Sequence, residues 1–345
     1  MKLVIDKDIP FINGLFEPFG EVKYLNGAEI SRDDLIDADG LIVRTRTKCN
    51  EDLLSGTGVK IIATATIGRD HISPWCEEHG IFVKNAAGCN AGGVMDYVFS
   101  ALYGMAARKS IPLTGNTFGI VGVGSVGSRV EQMARALGFN VLLCDPPRAE
   151  VEGSSQFCDL DYLLSHSDIV SLHVPLNAQT KNMANEEFFT KMKLGAFFIN
   201  TCRGEVVVDN DLIEAIPKLG PVIIDTWNGE PDINLNLLNL VDIATPHIAG
   251  YSYQGKLLGT RMAVRSIARF FGIEALYEFT PQADVKLEAV KLNLVGLTQG
   301  QIASIMQYNY PIFSDDFMLR INPADFEKLR NEYKYRREFY IDTSI

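Results

Sequence analysis

Short apolar runs alternate with polar segments over residues 1–90. The runs in KLVIDKDIP, GLIV, VKIIATATIGRDH and GIFVKNAAG predict strands, and helix-like stretches lie between them at Asp33–Asp37 and Ser73–Glu78. Apolar strands that alternate with helices are typical of a parallel sheet covered by helices. The pattern therefore predicts a first α/β unit.

Two long helical patterns flank a second α/β unit. AGGVMDYVFSALYGMAARK and YSYQGKLLGTRMAVRSIARFFG both repeat apolar residues at helical spacing. The first pattern leads into the second unit, and the second pattern returns towards the first unit. The apolar strands predicted between them, after TFGIVGVGSVGSRVEQMARALGFNVLLCDPP, are Ile169–Val174, Ala196–Asn200, Val222–Asp225 and Asp242–Thr245.

The last segment of the chain has a different composition. Residues 285–345 are rich in Lys, Glu, Asn and Tyr and end in FEKLRNEYKYRREFYIDTSI, which predicts a small third domain of α+β type. The predicted fold class is α/β. We expect two doubly wound parallel-sheet domains. Residues 1–90 and 252–280 would form one of them, and residues 91–251 would form the other.

The composition narrows the possible partners. The chain has 345 residues, of which 47% are hydrophobic, and a formal net charge of −11. This acidity disfavours nucleic acid and anionic membranes as partners. No apolar run approaches the ~18–20 residues that cross a bilayer, and the N-terminus carries no signal-peptide core. The six cysteines form no CxxC pair and no zinc-type cluster, so we expect a cytoplasmic protein without a metal site.

A glycine motif follows the predicted strand Phe118–Val121. GIVGVGSVG places Gly122, Gly124 and Gly127 in a GxGxxG pattern at the start of a predicted helix, Ser125–Leu137. In that context Gly122 permits a tight turn, Gly124 lets a pyrophosphate approach the backbone, and Gly127 packs helix on strand. The helix N-terminus adds amide donors for phosphate. The motif therefore predicts a dinucleotide site.

Asp145, at the end of NVLLCDP, indicates which dinucleotide binds. It lies about 20 residues after the glycines, where an acid accepts hydrogen bonds from the adenosine ribose. Its charge would repel a 2′-phosphate, so NAD is predicted over NADP. Arg148 lies close by in the sequence and could soften that preference.

Three charged or titratable residues follow strand ends in the second unit: Arg203, Glu230 and His247. Ligands in open α/β sheets bind outside the carboxyl ends of the strands, so these side chains could converge on one cleft. An unpaired guanidinium between apolar segments is costly. Arg203 therefore either pairs with Asp209 or Asp211, or it binds an anion that is not part of the protein.

The three residue types suit hydride transfer from a 2-hydroxy acid. Arg203 would hold the carboxylate through paired hydrogen bonds. His247 would take the hydroxyl proton, since an imidazole titrates near neutral pH. Glu230 would hold the imidazole and stabilise its protonated form. Asp225, at a strand end, either bonds the nicotinamide carboxamide or caps a turn.

These motifs carry a family resemblance. GIVGVGSVG, INTCRGEVVVDNDL, DTWNGEP and TPHIAGYS resemble the motifs of the NAD-dependent D-2-hydroxyacid dehydrogenase family. GCNAGGVMDYVFSAL, HIAGYSYQGKLLGT and the tail FEKLRNEYKYRREF are similar to one branch that acts on a small phosphorylated hydroxy acid. The resemblance implies a flavodoxin-like substrate-binding domain, a Rossmann NAD domain and a homodimer formed through the C-terminal domain.

The resemblance also implies roles for individual residues. Arg203, Glu230 and His247 would be catalytic. The implied substrate contacts are Thr45, Thr66 and Tyr251. The implied cofactor contacts are Gly122, Gly124, Ser125, Val126, Gly127, Asp145, Val174, Thr201, Cys202, Asp225 and Gly250.

A phosphorylated substrate needs a second anion site. Arg44 and Arg46 lie in VRTRTK after a strand end, so we expect Arg44 to bind the phosphate, with Arg46 or Arg69 assisting. Arg69 could instead pair with Asp70. The arginines and tyrosines of the tail favour a dimer contact over a nucleic-acid patch, because such residues are enriched in interfaces.

Two other functions remain open from the sequence. The chain could oxidise a different hydroxy acid, such as 3-phosphoglycerate or glycerate. It could also be an interaction protein that senses NAD, because corepressors of the same fold can retain the same three residues. The formate dehydrogenases of this superfamily lack the Glu–His pairing, so Glu230 disfavours that branch.

Overall fold

Apolar runs form most strands of two large parallel sheets in the computed structural model, which describes residues 1–341 and also contains a two-stranded pair. The strands are β1 Lys2–Asp6, β2 Glu21–Leu25, β3 Gly40–Val43, β4 Ile61–Thr64, β5 Phe82–Asn85, β6 Thr117–Val121, β7 Asn140–Cys144, β8 Ile169–Leu172, β9 Phe197–Asn200, β10 Val222–Ile224, β11 Ile243–Ala244, β12 Val290–Leu292 and β13 Phe339–Ile341. The helices are α1 Glu51–Leu54, α2 Trp75–Glu78, α3 Ala91–Lys109, α4 Ser125–Ala136, α5 Pro146–Glu152, α6 Leu160–His166, α7 Glu186–Lys191, α8 Asp209–Ala215, α9 Leu235–Leu240, α10 Tyr253–Phe271, α11 Gln299–Asn309, α12 Ile312–Ile321 and α13 Phe326–Asn331.

Unit 1 comprises residues 1–90 and 252–288. Its strands run parallel in the order β2-β1-β3-β4-β5. Strands β3 and β4 are buried throughout, as expected for a sheet with helices on both faces. Helix α10 packs on β4. It begins after Ser252, whose side chain accepts a hydrogen bond from the amide of Gly255, and ends at Gly272 with φ of 71°.

Unit 2 comprises residues 91–251 and the described residues from 289 onward. Its strands run parallel in the order β11-β10-β9-β8-β6-β7. The order reverses at β6, because β7 lies on one side of it and β8 on the other. A ligand crevice opens outside the carboxyl ends of the strands at such a reversal. The predicted fold class, two doubly wound parallel sheets, is confirmed.

The C-terminal segment contributes to the core of unit 2. Helices α11 and α12 contact α3. Met306 and Tyr310 are fully buried in the same cluster as Phe99 and Phe118. Strands β12 and β13 form a small parallel pair. The division of the chain into three domains stays a prediction, and residues 342–345 of the last predicted domain lie outside the described residues.

The secondary structure predicted from local sequence patterns was wrong for some elements of unit 1. The stretch predicted as helical at Asp33–Asp37 forms a single 3-10 turn, Arg32–Asp34, and the stretch at Ser73–Glu78 forms only the four-residue α2. Strand β2 was not predicted, because it lies at the sheet edge and mixes polar with apolar residues. These short elements are decided by packing on the sheet rather than by propensity.

Candidate active site and nucleotide site

The glycine loop lies between β6 and α4, at the reversal of strand order. Gly122 has φ of 87°, and a Cβ built there would lie 2.8 Å from the carbonyl carbon of His173. A Cβ on Gly127 would lie 2.1 Å from the Gly122 oxygen, so only glycine lets α4 approach the loop. A Cβ on Gly124 would meet nothing within 4 Å. The loop is therefore closed towards the protein and open at Gly124, as a phosphate cradle requires.

Asp145 stabilises the glycine loop from β7. Its Oδ2 accepts a hydrogen bond from the amide of Val123 at 2.7 Å, and its Oδ1 accepts from the amide of Arg148 at 3.1 Å. Arg148 donates to the Val123 oxygen and to both carboxylate oxygens of Glu152. The guanidinium is thus already paired with a carboxylate, which weakens its capacity to bind a 2′-phosphate. This arrangement favours NAD at the site.

The other predicted cofactor residues lie at or near the ends of neighbouring strands. Val174 follows β8, Thr201 and Cys202 follow β9, and Gly250 lies in the loop after β11. The Thr201 hydroxyl is buried and has no hydrogen-bond partner among the described residues. A buried hydroxyl without a partner is costly unless a ligand supplies one. Burial raises the pKa of the Cys202 thiol to about 11, so this group is a neutral neighbour of the site. These residues fit a bound dinucleotide.

His247 and Glu230 form a hydrogen-bonded pair. Nδ1 of His247 donates to the Glu230 carboxylate, at 2.8 Å from Oε2 and 3.1 Å from Oε1. The amide of Trp227 donates to Oε1 at 2.9 Å. Burial raises the pKa of Glu230, but the charge of His247 and the hydrogen bonds outweigh it, and the pKa is held below its ordinary value. Glu230 is therefore a carboxylate, and it orients the imidazole with Nδ1 protonated and Nε2 available as a base.

Asp225 holds the loop that carries His247. Its buried carboxylate accepts hydrogen bonds from the Thr245 hydroxyl at 2.7 Å and from the amides of Ile248 at 2.8 Å and Ala249 at 2.9 Å. Burial raises its pKa, and these donors offset part of that cost. The loop needs this support because His247 has φ of 55°, which non-glycine residues rarely adopt. Asp225 thus caps this turn, and its contact with the cofactor stays a prediction.

Arg203 follows β9, and its side chain is half-buried. Its Nη1 donates to the Cys202 oxygen at 2.7 Å. The two carboxylates that could have paired with it have other partners. Asp209 accepts from the Asn234 amide group, and Asp211 accepts from the backbone amide of Glu186. The binding of an external anion by Arg203 stays a prediction.

Arg330, on α13, was not predicted as a site residue. Its Nε donates to the Tyr251 hydroxyl at 3.2 Å, and its Nη1 lies 3.7 Å from Oε2 of Glu230. One hundred positions along the chain separate Glu230 from Arg330. A tail rich in charges offered no pattern that singles out this arginine.

Arg336 has a different place from the one expected of the tail arginines. Its guanidinium is buried 3.4 Å above the ring of Tyr310, and it donates to the Tyr333 hydroxyl and to the Ala249 oxygen. Arg336 is therefore a part of the interior of unit 2 that supports the histidine loop. The expectation that the tail arginines lie in a dimer contact stays a prediction.

The substrate residues predicted in unit 1 follow β3 and β4. Arg44 donates through Nε to Asp6 at 2.9 Å and through Nη2 to Asp8 at 2.8 Å. Thr66 shares a hydrogen bond with Thr64, and Thr45 is exposed after β3. Arg69 pairs with Glu77. An anion near Arg44 would therefore share its guanidinium with carboxylates of the protein.

Two searches of the described residues bear on other kinds of site. Residues 1–341 contain no group of three or more His, Cys, Asp or Glu side chains arranged to hold a metal ion. None of the helices described has both the length and the apolar character needed to span a membrane.

Comparisons with known proteins identify the family. Residues 99–249 match the family model of the D-isomer specific 2-hydroxyacid dehydrogenase NAD binding domain. The chain is 43% identical over 346 aligned residues to an erythronate-4-phosphate dehydrogenase of Bacteroides fragilis, covering 98% of this chain and 97% of that protein. It is 41% identical to the same enzyme of Yersinia pestis, covering 98% of this chain and 93% of the relative.

Solved structures of the family show the same fold. The NAD+-bound 3-phosphoglycerate dehydrogenase of Entamoeba histolytica superposes with a TM-score of 0.67 at 27% identity, covering 83% of this chain and 99% of its own. The D-lactate dehydrogenase of Aquifex aeolicus, solved with NAD and lactic acid, superposes with a TM-score of 0.66 at 27% identity. The match covers 82% of this chain and 100% of the lactate dehydrogenase chain. The chain therefore belongs to the D-isomer specific 2-hydroxyacid dehydrogenase family, as a relative of the erythronate-4-phosphate dehydrogenases, and is an NAD-dependent dehydrogenase.

Proposed function

We propose that this enzyme oxidises 4-phospho-D-erythronate to 3-hydroxy-2-oxo-4-phosphooxybutanoate, in the biosynthesis of pyridoxal 5′-phosphate in the cytoplasm. The observation that carries the proposal is the 43% identity to an erythronate-4-phosphate dehydrogenase over 98% of the chain. The 3-phosphoglycerate dehydrogenase of Entamoeba histolytica is 27% identical to this chain, and the match covers 83% of this chain. The comparison thus favours the C4 phosphorylated acid over 3-phosphoglycerate.

The residues of unit 2 suit this chemistry. Arg203 would hold the substrate carboxylate, and Nε2 of His247 would accept the proton of the C2 hydroxyl as the carbonyl forms. NAD, when bound at the glycine loop, would supply the acceptor for the hydride that leaves C2. Glu230 would stabilise the imidazolium until the proton reaches solvent. In the reverse direction His247 is the acid.

The assay that tests this function compares three acids. NADH formation would be measured with 4-phosphoerythronate, 3-phosphoglycerate and unphosphorylated erythronate, with and without an added 2-oxo acid that could reoxidise tightly bound cofactor. The proposal requires a clear preference for 4-phosphoerythronate. A preference for 3-phosphoglycerate would refute the proposal. If no hydroxy acid were oxidised, the alternative of an NAD-sensing interaction protein would be favoured instead.

We propose that Arg44 binds the substrate phosphate. Replacing Arg44 with Ala should raise KM for 4-phosphoerythronate about 10-fold or more, because hydrogen bonds to charged groups contribute about 1.5–3 kcal/mol, while KM for NAD stays within about twofold. Arg32→Ala is the matched control, since that exposed arginine of unit 1 bonds only to the Asp52 oxygen in the described part of the chain. Equal kinetics for the two variants would refute a phosphate contact by Arg44.

We further propose that the protein forms a homodimer through its C-terminal segment. Helices α11 and α12 expose large apolar side chains, with Tyr308 87% exposed and Phe317 and Ile321 each 61% exposed. Exposed apolar surface of this kind marks association sites. The double change Phe317→Lys and Ile321→Lys should convert a dimer to a monomer in sedimentation equilibrium. Val151→Lys, at a site 86% exposed on α5, should leave the mass unchanged. A monomeric parent protein would contradict the proposal.

A further inference from the structure

The carboxylate of Glu230 has a cationic neighbour that the proposed mechanism does not use. His247 approaches it with Nδ1, and Arg330 approaches it from α13 with Nη1 3.7 Å from Oε2. The Arg330 side chain is 20% exposed, and the Tyr251 hydroxyl accepts from its Nε. One carboxylate therefore lies beside a permanent cation and a base that must gain and lose a proton.

Arg330 stays charged in this position. Burial lowers the pKa of Arg330, but Tyr251, Glu230 and Asp225 together raise it above its ordinary value. Its charge has two effects on the pair. It favours the ionised form of Glu230, and it competes with the His247 imidazolium for that carboxylate, because both cations approach Oε2 of Glu230.

Other charged and polar groups also lie near the pair, among them a second cation, Arg336, which donates to the Ala249 oxygen of the histidine loop. Asp225, which follows β10, lies close enough to His247 for its charge to interact with the imidazolium, which it favours. Tyr251 follows the histidine loop, and its hydroxyl accepts from Nε of Arg330. Arg330 is the cation of the C-terminal segment that the described contacts place beside the Glu230 carboxylate.

We propose that Arg330 is a positioning residue that acts through Glu230: it holds the carboxylate against His247 and takes up part of the negative charge that would otherwise stabilise the imidazolium. The inference rests on the proposed function of the His247–Glu230 pair. Without Arg330 the full charge of Glu230 would stabilise the imidazolium. The enzyme would then need a higher pH to oxidise its substrate.

The test compares Arg330→Gln with Arg330→Lys and Lys328→Gln. Lys328 is exposed on the same helix and has no contact with Glu230 among the described residues, so its variant removes the same charge as a control. Two quantities would be measured against pH: kcat/KM for 4-phosphoerythronate, and the NMR chemical shift of the His247 imidazole in the substrate-free protein, assigned with His247→Asn. Thermal unfolding would confirm that each variant is folded.

Arg330→Gln should move both midpoints to higher pH, as expected for loss of a positive charge near a titrating group. Arg330→Lys should restore most of the shift, and Lys328→Gln should leave both midpoints in place. A His247 titration that does not move in Arg330→Gln would overturn the inference. So would a loss confined to the phosphorylated acid with an unmoved titration, because Arg330 would then contact substrate directly.

The two proposals fail in different ways. A parent protein that oxidises no hydroxy acid would refute the proposed function. The NMR titration does not depend on turnover, so a shift in that protein would still support the coupling of Arg330 to His247.

Discussion

Replacing His247 with Asn should lower kcat for hydroxy-acid oxidation about 10³-fold, within the range that general acid–base groups contribute. Asn is the informative substitution because His247 has φ of 55°, and Asn tolerates the left-handed region better than most residues. The side chain that replaces the imidazole cannot accept the hydroxyl proton. The affinity for NAD should stay within about twofold, since the glycine loop is untouched.

Stopped-flow measurement of NADH formation would check this result, with NAD affinity taken from quenching of protein fluorescence. His166→Asn is the control, because His166 is an exposed histidine of α6 in the same unit. If His247→Asn kept more than about a tenth of the parent kcat, another group would have to be the base, because removal of a general base costs at least about 10²-fold.

Replacing Arg203 with Gln should lower kcat/KM about 10²–10³-fold, because two charge-assisted hydrogen bonds to the substrate carboxylate would be lost. Gln cannot supply the charge or the paired donors of a guanidinium. Arg203→Lys should recover part of the loss, since it keeps the charge but not the planar pair of donors. The loss should be similar for phosphorylated and unphosphorylated acids, because both carry the carboxylate.

Initial-rate kinetics on both acids would measure this effect. Arg135→Gln serves as the control, because that exposed arginine of α4 pairs with Glu131 on its own helix. A selective loss for the phosphorylated acid would place Arg203 at the phosphate instead of the carboxylate. Unchanged kinetics would leave Arg203 without a role in substrate binding.

The C-terminal segment supports the candidate active site through two arginines. Arg336 bonds the Ala249 oxygen in the histidine loop, and Arg330 lies beside Glu230. Asp225 supports the same loop from β10. The strained conformation of His247 is therefore held by groups from separate parts of unit 2, as expected for a residue that must keep an unfavourable backbone angle.

Local sequence patterns predicted much of the fold of this protein and many residues of its candidate site. Apolar runs bounded by turn residues predicted most strands of both sheets, because strands buried on both faces must be apolar throughout. The glycine motif and Asp145 located the nucleotide site, since the backbone there admits only glycine at Gly122 and Gly127. Arg203, Glu230 and His247 were predicted as site residues from their positions after strand ends. Each of these motifs spans only a few consecutive residues, so it can be recognised from the sequence alone.

Tertiary structure decided the contacts between distant segments. It brings Arg330 to Glu230, buries Arg336 beside the histidine loop, and gives Asp225 the backbone donors of that loop. It also pairs Arg44 with Asp6 and Asp8, and adds the edge strand β2. Each of these depends on which side chains the packing of the core brings together. No local sequence pattern indicates that two residues far apart in the chain will lie close together. Such contacts are therefore seen only in the folded structure.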